Sequence, residues 1–132
     1  MFRTLKKRSQ GVVTVEVALC LPILLTILFG SYELARVNMM MHSTESAAYE
    51  GARVGIIPGA TPEQVRASVG TILNSVGVKT FDVVITPDVI TNTTEEIEVS
   101  VSVPLRANLA LPPFFIEDPT LRGACTLKRE VL

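Results

Sequence analysis

A glutamate stands inside a membrane-length apolar run, and that placement constrains this chain more than any other feature. From Val12 to Gly30 the sequence is apolar for 19 residues, interrupted by Glu16 and preceded by a short leader holding Arg3, Lys6, Lys7 and Arg8. As an α-helix the run measures about 28 Å, close to the roughly 30 Å hydrocarbon core of a bilayer. Cations precede it, and its far flank is mixed (Glu33, Arg36, His42, Glu45), so the positive-inside rule puts the N-terminus in the cytoplasm and the remainder outside. A cleaved secretory signal competes poorly. Such signals have apolar regions of about 7–15 residues ending in a small-x-small site, whereas this run is longer and exits through Phe29-Gly30-Ser31-Tyr32-Glu33. Pro22 removes one backbone donor within the run, which predicts a kink or local loosening.

A carboxylate at mid-bilayer costs on the order of 2.5–3.5 kcal/mol on insertion scales; Glu16, one turn in, costs less. Three readings remain open at this point. The side chain can reach back to the interface, aided by the positive end of the helix dipole. It can serve an ion or proton pathway, although a single helix offers it no polar companion. Or it can pair with an α-amino group: a cut after Gly11 would leave the new amine of Val12 one helical turn from Glu16. This third reading also accounts for the unobstructed glycine before Val12 and for the short basic leader.

Composition restricts the rest. The 132 residues are 48% apolar with a mean hydropathy of +0.41, and most of that excess lies between Val12 and Phe29. The net charge is −1 overall; without the four cations of residues 1–11 it is −5, so no cationic face remains for a nucleic acid. The cysteines, Cys20 in the apolar run and Cys125 near the C-terminus, are expected as free thiols, with an intersubunit Cys20 bridge as the alternative. No metal-ligand spacing, cofactor motif or catalytic constellation is present: neither G-x-S-x-G nor H-E-x-x-H nor a P-loop, and His42 is the single histidine.

The leader, Gly11, Glu16 and apolar helix together resemble the type III signal of type IV prepilins and pseudopilins, in which the glutamate is the fifth residue of the mature protein. Val12 stands where many pilins carry phenylalanine. The stretch Gly11-Val12-Val13-Thr14-Val15-Glu16-Val17-Ala18-Leu19-Cys20-Leu21-Pro22, then Gly30-Ser31-Tyr32-Glu33-Leu34-Ala35-Arg36, resembles the TadE-like family of tight-adherence (Tad/Flp) type IVb pilus proteins. Ala48-Tyr49-Glu50-Gly51-Ala52-Arg53-Val54-Gly55 resembles its second block, and Thr126-Leu127-Lys128-Arg129-Glu130 its C-terminal part. The resemblance implies a minor pilin or pseudopilin in the bacterial inner membrane with a periplasmic head. It implies cleavage between Gly11 and Val12 by a prepilin peptidase, and Glu16 as the carboxylate that aligns subunits during assembly. The implied partners are that peptidase, other pilins or pseudopilins, Tad inner-membrane assembly proteins and the membrane. An unprocessed, single-pass scaffold that holds partners in an envelope secretion complex is the alternative, with the Phe114-Phe115 loop and the acidic strand as its binding surface. An exported enzyme is a third class for which no site is visible.

The expected organisation is a basic leader over 1–11, a transmembrane helix over 12–30, its extracytoplasmic continuation over 31–57 and a small α+β head over 58–132. In the continuation, Glu33 and Arg36 are spaced to pair. Ser43, Ala47, Gly51 and Gly55 recur every four residues and make one helix face nearly flat, a helix-packing face for the chain's own sheet or for a neighbouring subunit. Met39-Met40-Met41 reads as adaptable packing. Pro58-Gly59 ends the helix. Thr61-Pro62-Glu63-Gln64 opens another through a capping box; Val65, Val69, Ile72, Leu73 and Val76 form its apolar stripe, and Gly77 stops it. Strands are expected over 80–86, over 96–103 with Ile97, Val99, Val101 and Val103 on one face, and over 123–131, with loops over 88–94 and at Leu111-Pro112-Pro113-Phe114-Phe115. The acidic edge Glu95, Glu96, Glu98 reads as solvating. A head of 73 residues after Gly59 has a marginal core alone. Docking its antiparallel sheet on the long helix, the pilin-like plan that the resemblance also implies, would remedy that.

Overall fold

The computed structural model describes residues 5–91, 94–110 and 119–129, with side chains from Gly11 onward. The expected loop at Leu111-Phe115 lies outside the described residues, as does the end of the third expected strand. The fold is α+β: a long N-terminal helix, a three-stranded antiparallel sheet and two further helices, where one had been expected. The chain divides into two units, one up to Ala35 and one from Arg36 onward.

The first unit is the start of α1, which spans Leu5–Gly55 and runs 51 residues without a break. It therefore begins inside the basic leader rather than after it. At Pro22 the helix continues, and Thr26 Oγ1 donates to the Pro22 carbonyl at 2.8 Å. Every large apolar side chain from Val12 to Phe29 is exposed. A helix apolar on all sides and exposed among the described residues is suited to a lipid or protein surround.

In the second unit one face of α1 turns inward. Met40, Thr44, Ala47, Ala48, Gly51, Ala52 and Gly55 are buried, spaced by three and four residues as one stripe of a 3.6-residue helix requires. Thr44 satisfies its buried hydroxyl by donating to the Met40 carbonyl at 2.7 Å. The helix α2 (Pro62–Ser75) forms as the capping box dictates. The Thr61 side chain accepts from the Gln64 amide at 3.4 Å, and Gln64 Oε1 accepts from the Thr61 amide at 3.1 Å. Val65, Val69 and Leu73 of its stripe are fully buried, Ile72 and Val76 partly so. Gly77 ends α2 at φ 79°, a left-handed conformation that favours glycine.

The strands β1 (Asp82–Thr86), β2 (Glu96–Pro104) and β3 (Thr120–Lys128) pair antiparallel in the order β1-β2-β3. The register sets Val99 opposite Ile85 on one side and Cys125 on the other. Ile97, Val99, Val101 and Val103 are all buried, as their alternation predicts. They meet the buried stripes of α1 and α2 in one core. At Gly123 sheet and helix approach closely: a Cβ there would lie 2.8 Å from the Thr44 carbonyl oxygen. Only glycine lets the β3 backbone lie against the α1 backbone at that point.

Three details depart from the sequence expectations, each for a local reason. β1 starts at Asp82 because the Thr80 amide and carbonyl are both occupied by the Asn108 side chain. That asparagine lies in α3 (Leu105–Asn108), a single turn not anticipated from the sequence. β3 starts at Thr120, three residues early, because β2 runs to Pro104 and Pro104 pairs with Thr120. Finally, Glu33 and Arg36 form no ion pair: Arg36 Nη2 donates instead to the Asn108 carbonyl at 3.0 Å.

Candidate functional site

The residues singled out for processing and assembly lie on the exposed part of α1. Gly11 is exposed, with open space where a Cβ would sit, and Val12 is 67% exposed. Glu16 is exposed one turn further on. At a separation of four residues, Val12 and Glu16 lie one above the other on the same helix face. Between Val12 and Tyr32, Glu16 is the single carboxylate or basic residue. The segment thus carries one carboxylate on an otherwise apolar rod. Cys20 is a free thiol exposed on the same rod; Cys125, half-buried on β3, is free as well.

The flat face of α1 is occupied by the chain itself. Ser43 is half-buried, and Ala47, Gly51 and Gly55 are buried. A Cβ on Gly51 would meet Val69 at 2.8 Å and Val99 at 3.2 Å; one on Gly55 would meet Ile97 at 3.2 Å. Small residues at these positions bring α2 and β2 against the α1 backbone, so in this fold the stripe builds the head's core.

Two side chains to which the sequence assigns no structural role of their own hold the second unit together. Arg129 follows β3, its amide donating to the Glu95 carbonyl at 2.7 Å. Its guanidinium then fans over the end of α1. Nε donates to the Ile56 carbonyl at 2.8 Å, Nη2 to the carbonyls of Gly55 and Ile57 at 3.1 and 3.0 Å, and Nη1 to the Thr91 carbonyl at 2.9 Å. Helix C-terminal carbonyls lack intrahelical donors and carry partial negative charge; a planar guanidinium meets both needs at once. It also explains why α1 stops at Gly55, two residues before the expected end. Asn108, buried, uses every side-chain bond it can reach. Oδ1 accepts from the amides of Lys79 and Thr80 at 2.8 and 3.2 Å, while Nδ2 donates to the carbonyls of Thr80 and Pro104 at 2.8 Å each. With Arg36 on its carbonyl, it ties α3, the approach to β1 and α1 into one polar node. Neither residue announces itself in sequence, because both act through backbone carbonyls brought near by folding. The signal available was the position of Arg129 just past a strand end, and of Asn108 just past Pro104.

Among the described residues no three of His, Cys, Asp and Glu come together as metal ligands. The groove between α1 and α2 is open and lined by Glu45, Ser46, Tyr49, Glu50, Ser68, Thr71 and Ile72. Of its two carboxylates, Glu50 faces Arg53 at 3.4 Å and Glu45 faces His42 at 3.8 Å.

No curated protein sequence and no solved structure matches the chain. The family comparison is positive over the exposed rod and most of the packed stripe, and it leaves out β3 and the Arg129 that follows it. Residues 11–53, from the glycine before the apolar run to the arginine beside Glu50, match the family described as TadE-like protein.

Proposed function

We propose that this protein is a minor pilin or pseudopilin of a Tad-type IVb pilus assembly. In this reading it is anchored by α1, cleaved by a prepilin peptidase after Gly11, and guided into the assembly by Glu16. The observation that carries the reading is the coincidence of two facts: the TadE-like match begins at Gly11, and the rod it covers first is apolar and exposed all round, with Glu16 as its one carboxylate. The N-terminus lies in the cytoplasm, where the positive-inside rule places Lys6, Lys7 and Arg8, and the head lies in the periplasm. After cleavage, the amine of Val12 on a neighbouring subunit supplies the charge that offsets the cost of Glu16 in lipid. Because α1 starts at Leu5, the Gly11–Val12 bond lies within a helix and the peptidase must open about one turn to reach it. Glycine makes that opening easier by roughly 0.8–1.0 kcal/mol relative to alanine.

Intact-mass measurement of the protein from its native host tests the reading directly. A mature chain beginning at Val12 supports it; a chain still beginning at Met1 removes it and leaves the unprocessed scaffold. A separate prediction concerns the carboxylate. Glu16→Ala is expected to leave cleavage intact and to impair pilus formation, and normal piliation by that variant would remove the assigned role.

A further inference from the structure

The sheet of the second unit has two open edges, β1 and β3, and its outer face divides its charges between them. On that face all three anions, Asp82, Glu96 and Glu98, lie on β1 and β2, while both cations, Arg122 and Lys128, lie on β3. The ladder fixes which backbone groups face each edge. The Arg129 amide donates to the Glu95 carbonyl and the Leu105 amide to the Pro119 carbonyl, so β2 and β3 bond through their odd-numbered residues. Antiparallel ladders alternate. The amides and carbonyls of Arg122, Ala124 and Thr126 therefore point away from β2, to the open side of β3. By the same alternation β2 meets β1 through its even-numbered residues, with Ser100 opposite Val84. That leaves the backbone groups of Val83 and Ile85 pointing outward on β1. Among the described residues, no backbone–backbone bond from outside the sheet reaches these five residues.

We propose that the β1 edge of one copy pairs with the β3 edge of a second copy, so that the sheet continues from head to head. Parity selects a parallel joint. In a parallel pair, a residue with outward backbone groups bonds the two residues that flank its opposite number. With Val84 opposite Ala124 of the other copy, Val83 bonds Arg122 and Ala124, Ile85 bonds Ala124 and Thr126, and the two outer faces stay on one side. An antiparallel joint of the same edges would set the core face of one copy beside the outer face of the other. In the parallel register Asp82 stands opposite Arg122. Charge also argues against the two-fold alternative: β3 against β3 brings the Arg122 and Lys128 side chains of both copies together, and like charges facing across strands destabilise. Edge cations deter such self-pairing and suit the acidic edge. Pro87, which has no amide, ends the joint. The contact is head-to-tail and leaves one edge of each kind unpaired, so it repeats from copy to copy. It uses the second unit alone and stands whether or not the chain is cleaved after Gly11.

The test uses the full chain in detergent with Cys20→Ala and Cys125→Ala. Copies carrying Val84→Cys are mixed with copies carrying Ala124→Cys and oxidised; both positions are exposed, as are Asp82 and Arg122. Paired strands lie about 4.7–4.9 Å apart, within the roughly 4.4–6.8 Å between Cα atoms that a disulfide spans. The expected result is a disulfide-linked dimer in the mixture and none when either copy is oxidised alone. Asp82→Arg on the first copy should cut the linked fraction roughly two- to fivefold, and Arg122→Asp on the second should restore it. No dimer in the mixture overturns the proposal. Equal linkage in the Ala124→Cys copy alone overturns it in favour of a two-fold β3 joint. Equal linkage between Thr71→Cys, on α2, and Ala124→Cys overturns it as random collision. Linkage indifferent to both charge reversals overturns the proposed register.

Discussion

Arg129→Ala is expected to loosen the end of α1 from the rest of the head. The wild-type guanidinium makes four bonds to backbone carbonyls, those to Gly55 and Ile56 partly buried and those to Ile57 and Thr91 exposed. Hydrogen bonds to charged groups contribute about 1.5–3 kcal/mol each when sheltered, and exposed ones approach zero because water replaces the donor. Two partly sheltered bonds, reduced for their exposure, together with about 0.3–1 kcal/mol from the helix dipole, give a loss of about 2–3 kcal/mol. For a unit of roughly 100 residues this corresponds to a melting point about 10–20 °C lower. The assay is thermal unfolding of the detergent-solubilised chain, with amide exchange read at residues 52–58 and 91. Arg129→Lys sharpens it. Lysine keeps the charge but cannot span four carbonyls, so it should recover the dipole contribution and little else. The reasoning is refuted if Arg129→Ala melts within about 2 °C of wild type, a shift below about 0.5 kcal/mol. It is also refuted if Arg129→Lys is indistinguishable from wild type, since charge alone would then suffice.

Gly123→Ala places a methyl group 2.8 Å from the Thr44 carbonyl oxygen. Because the obstacle is helix backbone, the loss should be at least the roughly 1–3 kcal/mol of ordinary overpacking, read by denaturant midpoint. Asn108→Asp keeps an acceptor for the Lys79 and Thr80 amides but sets carboxylate oxygen against the Thr80 and Pro104 carbonyls. A loss of about 2–4 kcal/mol follows from two forfeited donors near a buried node, with faster exchange at the amides of residues 79–80.

The legible parts of this fold are those in which neighbours in sequence decide the outcome. The α2 start is an instance: Thr61, Pro62 and Gln64 satisfy one another's bonds within four residues, so the local code is complete. The β2 alternation is another, since period two with Ile97, Val99, Val101 and Val103 inward has one stable placement on a helix layer. The boundaries of β1 and β3, and the turn α3, were not legible. They depend on Asn108 taking both backbone groups of Thr80 and on Pro104 meeting Thr120 across the sheet, which no local pattern encodes. The Glu33–Arg36 pair was not legible for the same reason: a spacing permits a bond without requiring it, and Arg36 donates to the Asn108 carbonyl, 72 residues on. At the candidate site, Gly11, Val12 and Glu16 stand out in the sequence by their chemistry and spacing, and the structure adds that all three are exposed on one helix; their proposed roles rest on the sequence. Arg129 does not stand out, because its targets lie more than seventy residues away in the chain.

If the chain assembles as proposed, the packing of α1 into the head determines how its assembly mutants must be read. Met40, Ala47, Ala48, Ala52, Gly51 and Gly55 are core residues of the head, and without that stripe the inner face of β2 loses its cover. A substitution such as Ala47→Leu would therefore unfold the head, whether or not a neighbouring subunit ever touches that face. A piliation defect there carries no information about subunit contacts unless the head is shown to be folded. The exposed rod is different: Val17, Leu21 and Ile23 are open to their surroundings. Defects that map to the rod, with the melting point of the head unchanged, would report on lateral packing itself. Those positions, beside Glu16, are where an interface between subunits can be separated from the stability of the fold that presents it.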